Sequence, residues 1–558
     1  MMNLNTYPFP SQRMPVVACN GVVATSQPLA AQAGLGMLQR GGNAVDAAIA
    51  TARALTVLEP TSNGIGGDAF ALVWDGIRLH GLNASGRAPA ALQGADLRAQ
   101  GYTQMPMDGW LPVTVPGAPA GWGELHQRFG RLSLEEVMAP AISYAENGYG
   151  VSPIVAQFWG YAFNRFSTIG DSIFAHWLDT FAPKGRAPQA GERWASPGHA
   201  QTLRTIARRG VRDFYEGELA EKIVSFAQAS GGLLRADDLA AHRSSWVEPI
   251  SASYRGYEVW EIPPNAQGLA ALVALAILEG TDLPSHPHGS IESLHVQIEA
   301  MKLAFADAHR YIADPEHADV PVAGLLNPDY IAARRQLIGS QTRPVEAGTP
   351  PQGGTVYLCT ADRDGLMVSY IQSNFFGFGS GLVVPETGIA LHNRGVSFSL
   401  IEGHPNEAAG GKRPYHTIIP AFLTRGGQPV GPFGVMGGHM QPQGHVQVAV
   451  GTIDYGLNPQ AVLDAPRWQV TGGLGISLEP GIPDEMRRGL AGRGHEVQEP
   501  VSVGFGQGQI MLNRPLTLEN AKRSEGGNFG RGQIIWRLDE GVFIAGSDMR
   551  ADGAALGW

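Results

Sequence analysis

A glycine pair stands in front of a threonine in the stretch Gly353-Gly354-Thr355, and the alternating run Val356-Tyr357-Leu358-Cys359-Thr360 follows it. A hydroxyl placed directly after a pliable Gly-Gly can turn back on the preceding carbonyl, because glycine lets the backbone bend toward it. That N-to-O acyl shift gives an ester, and water then releases a chain that begins at Thr355. The liberated α-amine, with a pKa of about 8, is partly neutral at pH 7 and can act as base for the same hydroxyl. Branching at Cβ keeps Oγ on one bearing. The segment also reads as an ordinary hairpin entry, since threonine is common in strands. Alone, it leaves both readings open.

A second candidate is Val435-Met436-Gly437-Gly438-His439-Met440-Gln441-Pro442-Gln443-Gly444-His445. Consecutive glycines after an apolar run can present backbone N–H groups to an oxyanion, and they also suit a plain turn. The stretch Asn63-Gly64-Ile65-Gly66-Gly67-Asp68-Ala69-Phe70 lacks the spacing of a phosphate loop, so close packing around a pocket is the better reading. His392, His416, His439 and His445 come without HExxH or a His/Cys ladder, so no metal site and no cofactor are expected. His416 and His439 are candidates for hydrogen-bonding pocket walls. No GxSxG elbow occurs, which argues against an α/β-hydrolase.

These groups sit in a long chain that can bury a large core: 558 residues, 44% of them hydrophobic. Charged residues are only 16%, against roughly 25% in ordinary proteins. The 74 glycines are scattered without repeat, which suggests many tight turns rather than collagen or low complexity. Net charge is −10 with no basic stripe, so nucleic acid is not an expected partner. No apolar stretch reaches the roughly 18 residues of a membrane span, and the first thirty residues lack a signal-peptide pattern. With only Cys19 and Cys359 there is no disulfide framework, and a cytoplasmic location is expected.

The periodicity predicts an Ala-rich helix ending at Gly41-Gly42, then a nearly all-apolar, buried helix capped by Asn43 and closed before Pro60. A hairpin around Asp75-Gly76 follows, helices dominate about 130–245, and strand text appears at 250–262. Leu294, Ile298, Met301 and Phe305 mark another helix. Residues 338–354 are the clearest loop, followed by strands at 355–360 and 366–373. Mixed helices and strands in both halves imply layered α/β or α+β packing.

The chain resembles the γ-glutamyltransferase family of N-terminal-nucleophile hydrolases from about residue 17 to 550. The resemblance rests on "GGNAVDAAIATARALTVLEPTSNGIGGDAF", "YRGYEVWEIPP", "EAMKLAFADAHRYIADP", "GTVYLCTADRDG", "GKRPYHTIIP", "MGGHMQPQGH" and "IDYGLNPQAVLDAPRW", in that order. It implies an α+β fold, a four-layer αββα sandwich. It also implies self-cleavage between Gly354 and Thr355 into a large subunit, 1–354, and a small subunit, 355–558, interlocked as one domain. Thr355 falls on the family nucleophile, Gly437 and Gly438 on its oxyanion-hole pair, and Ser373 on a supporting threonine.

Departures from the family pattern fall in the substrate pocket. Ser85 stands at the position of a family arginine, with Arg87 two residues on; Phe375 stands at that of an asparagine, with Asn374 beside it. Ser397 replaces an aspartate that would face a substrate ammonium, Arg394 lies just before it, and His416-Thr417 replace a serine pair. Losing an anion and gaining arginines suits an acyl group with a carboxylate and no α-amine. In these motifs the chain is similar to the oxamate amidohydrolase-like branch of the family. The expected function is a self-processing amidohydrolase acting on a small carboxylate-bearing amide such as oxamate. Arg394, His416, Thr417, Ser397, Asn374 and Arg87 are the candidate substrate contacts. A γ-glutamyltransferase acting on compounds such as glutathione is the alternative, and a non-cleaving binding protein of the same fold is the rival from another class. A homo-oligomer is compatible with the sequence.

Overall fold

The computed structural model describes residues 13–345, 354–498 and 529–558, so Gly353 and the rest of 346–353 lie outside the described residues. Two seven-stranded sheets form the centre. The first runs in the order Val16–Ala18, Phe543–Ser547, Arg531–Arg537, Gln428–Met436, Ala421–Arg425, Tyr257–Glu261, Ile250–Tyr254. The second runs Ala554–Gly557, Gly21–Thr25, Gly354–Asp362, Met367–Phe375, Asp68–Trp74, Leu79–Ala84, Ser245–Val247.

Side-chain alternation along the strands produces the layers. In Gly354–Asp362, Tyr357 and Cys359 join Phe70, Ile371, Phe422, Met436 and Ile535 in a core between the sheets. Val356 and Leu358 point the other way, into a core with Val45, Ile49, Leu55 and Trp122 from the helices covering the second sheet. Leu272, Ile298 and Val446 pack on Val259, Leu423 and Phe433 to cover the first sheet. The stack is helix, sheet, sheet, helix, as the family resemblance implied.

The buried helix Ala44–Leu58 begins with a capping box, in which the Asn43 side chain accepts from the Asp46 backbone and Asp46 answers to the Asn43 N–H. Every residue of this helix is buried, which is why its sequence is apolar on all faces. The strands Gly354–Asp362 and Met367–Phe375 lie between Gly21–Thr25 and Asp68–Trp74, so segments from either side of residue 354 alternate within one sheet. The described residues on both sides of residue 354 are thus built into the same sheet. Among the described residues no helix is long and apolar enough to cross a membrane.

Candidate active site

Thr355 lies in strand Gly354–Asp362 on the face turned toward the other sheet, and is 2% exposed. The register explains its neighbours. Gly354 pairs with Phe375 and Val356 with Gln372, so Thr355 faces two residues, Ser373 and Asn374, across a β-bulge. The bulge bends the end of Met367–Phe375, and Phe375 takes φ of 72°, a left-handed conformation rare for an aromatic residue. Thr355 Oγ1 donates to Ser373 Oγ at 3.3 Å and accepts from Gln441 Nε2 at 3.4 Å.

Ser373 Oγ also accepts from the Phe375 N–H at 2.7 Å and from Arg394 Nη2 at 3.2 Å. Arg394 Nη1 donates to Thr417 Oγ1 at 2.7 Å, and the guanidinium lies over the Phe375 ring. Arg394 is fully buried, yet no carboxylate among the described residues comes within 4.0 Å of its nitrogens, and its Nε has no hydrogen-bond partner. Burial pushes its pKa down to about 9, partly offset by the charge of Asp68, so it remains a cation at neutral pH. A buried cation held by two hydroxyls and a ring is a ready partner for an anionic ligand.

Asp68 anchors the next part. Its Oδ1 accepts from the Gly86 and Gly117 N–H groups at 3.1 and 3.0 Å, and Oδ2 accepts from His416 Nε2 at 3.0 Å. Burial opposes its ionisation, but His392, His416 and Arg394 outweigh that and hold the carboxyl down to about 2. His416 is driven by burial, and then by Arg394, to about 3, so it is neutral at pH 7. Its Nδ1 faces the Ile418 N–H at 3.4 Å, which fixes the proton on Nε2. Both ring nitrogens of His416 are therefore engaged within the protein.

Gly437 and Gly438 link strand Gln428–Met436 to helix Met440–Ile453 with φ of 133° and 62°. These are conformations that glycine adopts without strain. A Cβ on Gly437 would also come within 3.1 Å of Gly530 Cα. Gln267 ties the turn to the neighbouring loop by donating to the Gly438 carbonyl at 2.9 Å and the Thr417 carbonyl. Its Oε1 accepts from the Tyr415 hydroxyl at 2.9 Å. Gln441, in the first turn of the helix, reaches Thr355 Oγ1, so the glycine turn and the helix N-terminus lie beside the hydroxyl.

Thr355, Ser373, Arg394 and Thr417 thus form one connected group, with Gly437 and Gly438 tied to it through Gln441 and Gln267. Other candidates fall outside it. Arg87 is held by Asp314, Glu316 and the Gly411 carbonyl. Asn374 is buried against Gly64 and Gly67, where an added Cβ would meet its amide at 2.8 and 2.7 Å. The Ser397 hydroxyl is buried without a partner, one turn beyond Arg394. His439 stacks on Tyr415 and stands edge-on to His309. Asp68, Gln267 and Gln441 were not singled out from sequence, although Asp68 lies inside the stretch read as packing around a pocket and Gln441 inside the stretch read as an oxyanion site or a turn.

One group of side chains among the described residues is close enough to share a metal ion: His295, Glu299 and His495. Lys302 already neutralises Glu299 at 3.0 Å, and His295 Nδ1 and His495 Nε2 are hydrogen bonded to each other at 2.8 Å. An added dication would sit beside an ammonium, so the chemistry of the set does not favour one.

Two stacked sheets between helices, with a buried threonine at a strand start and a glycine pair at a helix start, define an N-terminal-nucleophile type of hydrolase. Residues 30–558 match the family model described as gamma-glutamyltranspeptidase, and the chain belongs to that family. It is similar to a cephalosporin acylase from Bacillus halodurans, at 54% identity and a TM-score of 0.92, over 100% of this chain and 99% of that one. A glutathione hydrolase-like YwrD proenzyme from Bacillus subtilis is 36% identical, covering 97% of this chain and 99% of its own. An oxamate amidohydrolase proenzyme from Klebsiella pneumoniae is 32% identical over the same shares, 97% and 99%. The family's hydrolases and acyltransferases act on amide C–N bonds, and this chain is an enzyme of that kind.

Proposed function

We propose that the chain is a precursor that cuts itself between Gly354 and Thr355. Thr355 then hydrolyses a small amide whose acyl part carries a carboxylate, with oxamate as the smallest such substrate. The observation that carries the reading is the placement of Arg394. Its Nη2 and the Thr355 hydroxyl meet at the same atom, Ser373 Oγ, through contacts of 3.2 and 3.3 Å. A carboxylate on this guanidinium brings the scissile carbonyl of a short acyl chain to Oγ.

The steps follow from the group. The Thr355 amine freed by the cut takes the hydroxyl proton as Oγ adds to the carbonyl carbon. The carbonyl electron pair moves to oxygen and is held by the N–H groups of Gly437 and Gly438 at the helix N-terminus. Collapse expels the amine, which takes the proton back, and water repeats the sequence to free the acid. Thr417 and Ser373 fix the guanidinium while Asp68 adds negative potential that keeps it charged.

A second reading concerns the amine half of the substrate. The 54% identity to a named cephalosporin acylase favours a bulky amine leaving group on the same acidic acyl part. A γ-glutamyl substrate is less well served. The position expected to face its ammonium is Ser397, and Asp68 is already occupied by His416 and two backbone N–H groups. The test has two stages. Intact mass and N-terminal sequencing should find two chains in the wild type, the smaller starting Thr-Val-Tyr-Leu, and one chain in Thr355→Ala. Oxamate, a glutaryl amide of a bulky amine and glutathione, assayed for ammonia or amine release, then rank the substrates. Fastest turnover of glutathione would overturn the carboxylate reading.

A further inference from the structure

We infer that Gln441 is a catalytic residue: its side-chain amide donates to Thr355 Oγ1 and stabilises the charge that gathers there as the hydroxyl proton leaves. The inference rests on Thr355 being the nucleophile, and it adds a group that the sequence pattern did not assign. Gln441 is fully buried in the first turn of helix Met440–Ile453. Its Oε1 accepts the Ile419 backbone N–H at 3.0 Å, which settles the orientation of the amide, because an N–H can only be met by the oxygen. The Nε2 therefore faces Thr355 Oγ1, at 3.4 Å.

This contact gives the hydroxyl a direction. With Gln441 donating to Oγ1, the single Thr355 proton points at Ser373 Oγ. That oxygen already accepts from the Phe375 N–H and from Arg394 Nη2, so it is a poor acceptor for a further proton. The proton is weakly held, and the oxygen it leaves behind is met by an N–H that needs no reorganisation. A donor aimed at a neutral hydroxyl gains strength as that oxygen becomes alkoxide-like. It weakens once Oγ is an ester oxygen and regains strength when the ester breaks, so both halves of the reaction draw on it.

Self-cleavage uses the same Oγ attack, here on the Gly354 carbonyl. The hydroxyl proton ends on the Thr355 nitrogen as the Gly354–Thr355 C–N bond breaks, and water then hydrolyses the ester. It needs no identified substrate, so it supplies the measurement. Precursor is made by cell-free synthesis, and the appearance of the 355–558 chain is followed by mass from pH 5 to 8 in wild type, Gln441→Met and Gln441→Glu, with folding checked by circular dichroism. Methionine keeps the volume and removes the donor, and cleavage should slow by about 10- to 100-fold at every pH. A buried glutamate is a donor only when protonated, so its rate relative to wild type should rise as pH falls. A residue that only filled space would not produce that dependence. Folded Gln441→Met cleaving within about threefold of wild type, with a flat Gln441→Glu ratio, would overturn the inference. A wild-type chain that never cleaves would instead overturn the proposed function.

Discussion

The guanidinium carbon of Arg394 lies 4.5 Å from the centroid of the Phe375 ring, and Phe375 holds that ring from a backbone with φ of 72°. The left-handed residue comes at the end of the bulge opposite Thr355, so one local distortion serves both the nucleophile strand and the cation. Strain of this kind at a buried non-glycine position persists only where the surroundings enforce it.

The strain predicts an inverted order of stability. Phe375→Ala should cost about 3–5 kcal/mol through lost packing. Phe375→Gly removes one more carbon, yet glycine accepts positive φ, and it should recover about 1 kcal/mol relative to alanine. Urea unfolding of the two variants measures this. A glycine variant less stable than the alanine variant would show that the conformation carries no strain.

Arg394 should act on substrate charge. Oxamate and oxamide differ in that one carboxylate becomes a neutral amide, so their ratio isolates the contact. In Arg394→Gln the KM for oxamate should rise about 10- to 100-fold, the worth of a charge-assisted hydrogen bond, while oxamide changes little. Arg394→Lys should recover part of the effect, since a point charge cannot reproduce the fork that joins Ser373 and Thr417. Equal losses on both substrates would remove the carboxylate assignment.

Thr355, Ser373, Gly437 and Gly438 were named together through the family resemblance, since each short motif alone also suited a strand or a turn, and the fold brings them near one another. Arg394 was legible as a departure from a pattern. Asn374 did not join the group, because at the bulge it lies against Gly64 and Gly67 while its neighbour Ser373 meets the hydroxyl. Arg87 did not either, because its carboxylates at Asp314 and Glu316 lie more than two hundred residues away in sequence. Gln441 and Asp68 become visible only when the helix and the strand dock beside Thr355 and His416, and no spacing within their own motifs encodes that.

Several buried histidines make stability fall in acid. Burial lowers His242 and His416 to about 3 and His199 and His309 to about 4. Below the unfolded value of about 6.5 the unfolded chain binds protons that the folded chain does not, so stability drops as pH falls toward those folded values. His242 stacks on Tyr215 with ring centroids 5.0 Å apart, and its Nε2 has no partner. His242→Phe keeps the stack and deletes the titration. Its stability near pH 7 should match wild type, while its loss between pH 6.5 and 4 should be shallower by up to about 1.4 kcal/mol per pH unit. Parallel curves would refute the account.

Asp68 also loses stability in acid, though as a carboxylate kept charged rather than an imidazole kept neutral, and it gives the last prediction. Both carboxylate oxygens accept hydrogen bonds, Oδ1 from two backbone N–H groups and Oδ2 from His416. An asparagine must turn its NH₂ toward one set of donors, and His416 cannot reverse its proton without facing the Ile418 N–H. Asp68→Asn should therefore destabilise by about 2–5 kcal/mol at pH 7. The folded carboxyl is held at about 2, below its ordinary value of 3.8. Its stabilisation is complete above the unfolded pKa and is lost as pH falls through the folded one. The gap between wild type and Asp68→Asn should thus stay constant from pH 7 to 5 and narrow below about pH 4. Urea midpoints at pH 7, 5 and 3 decide it, and a gap that widens in acid would mean that the ionised carboxylate is not what holds His416.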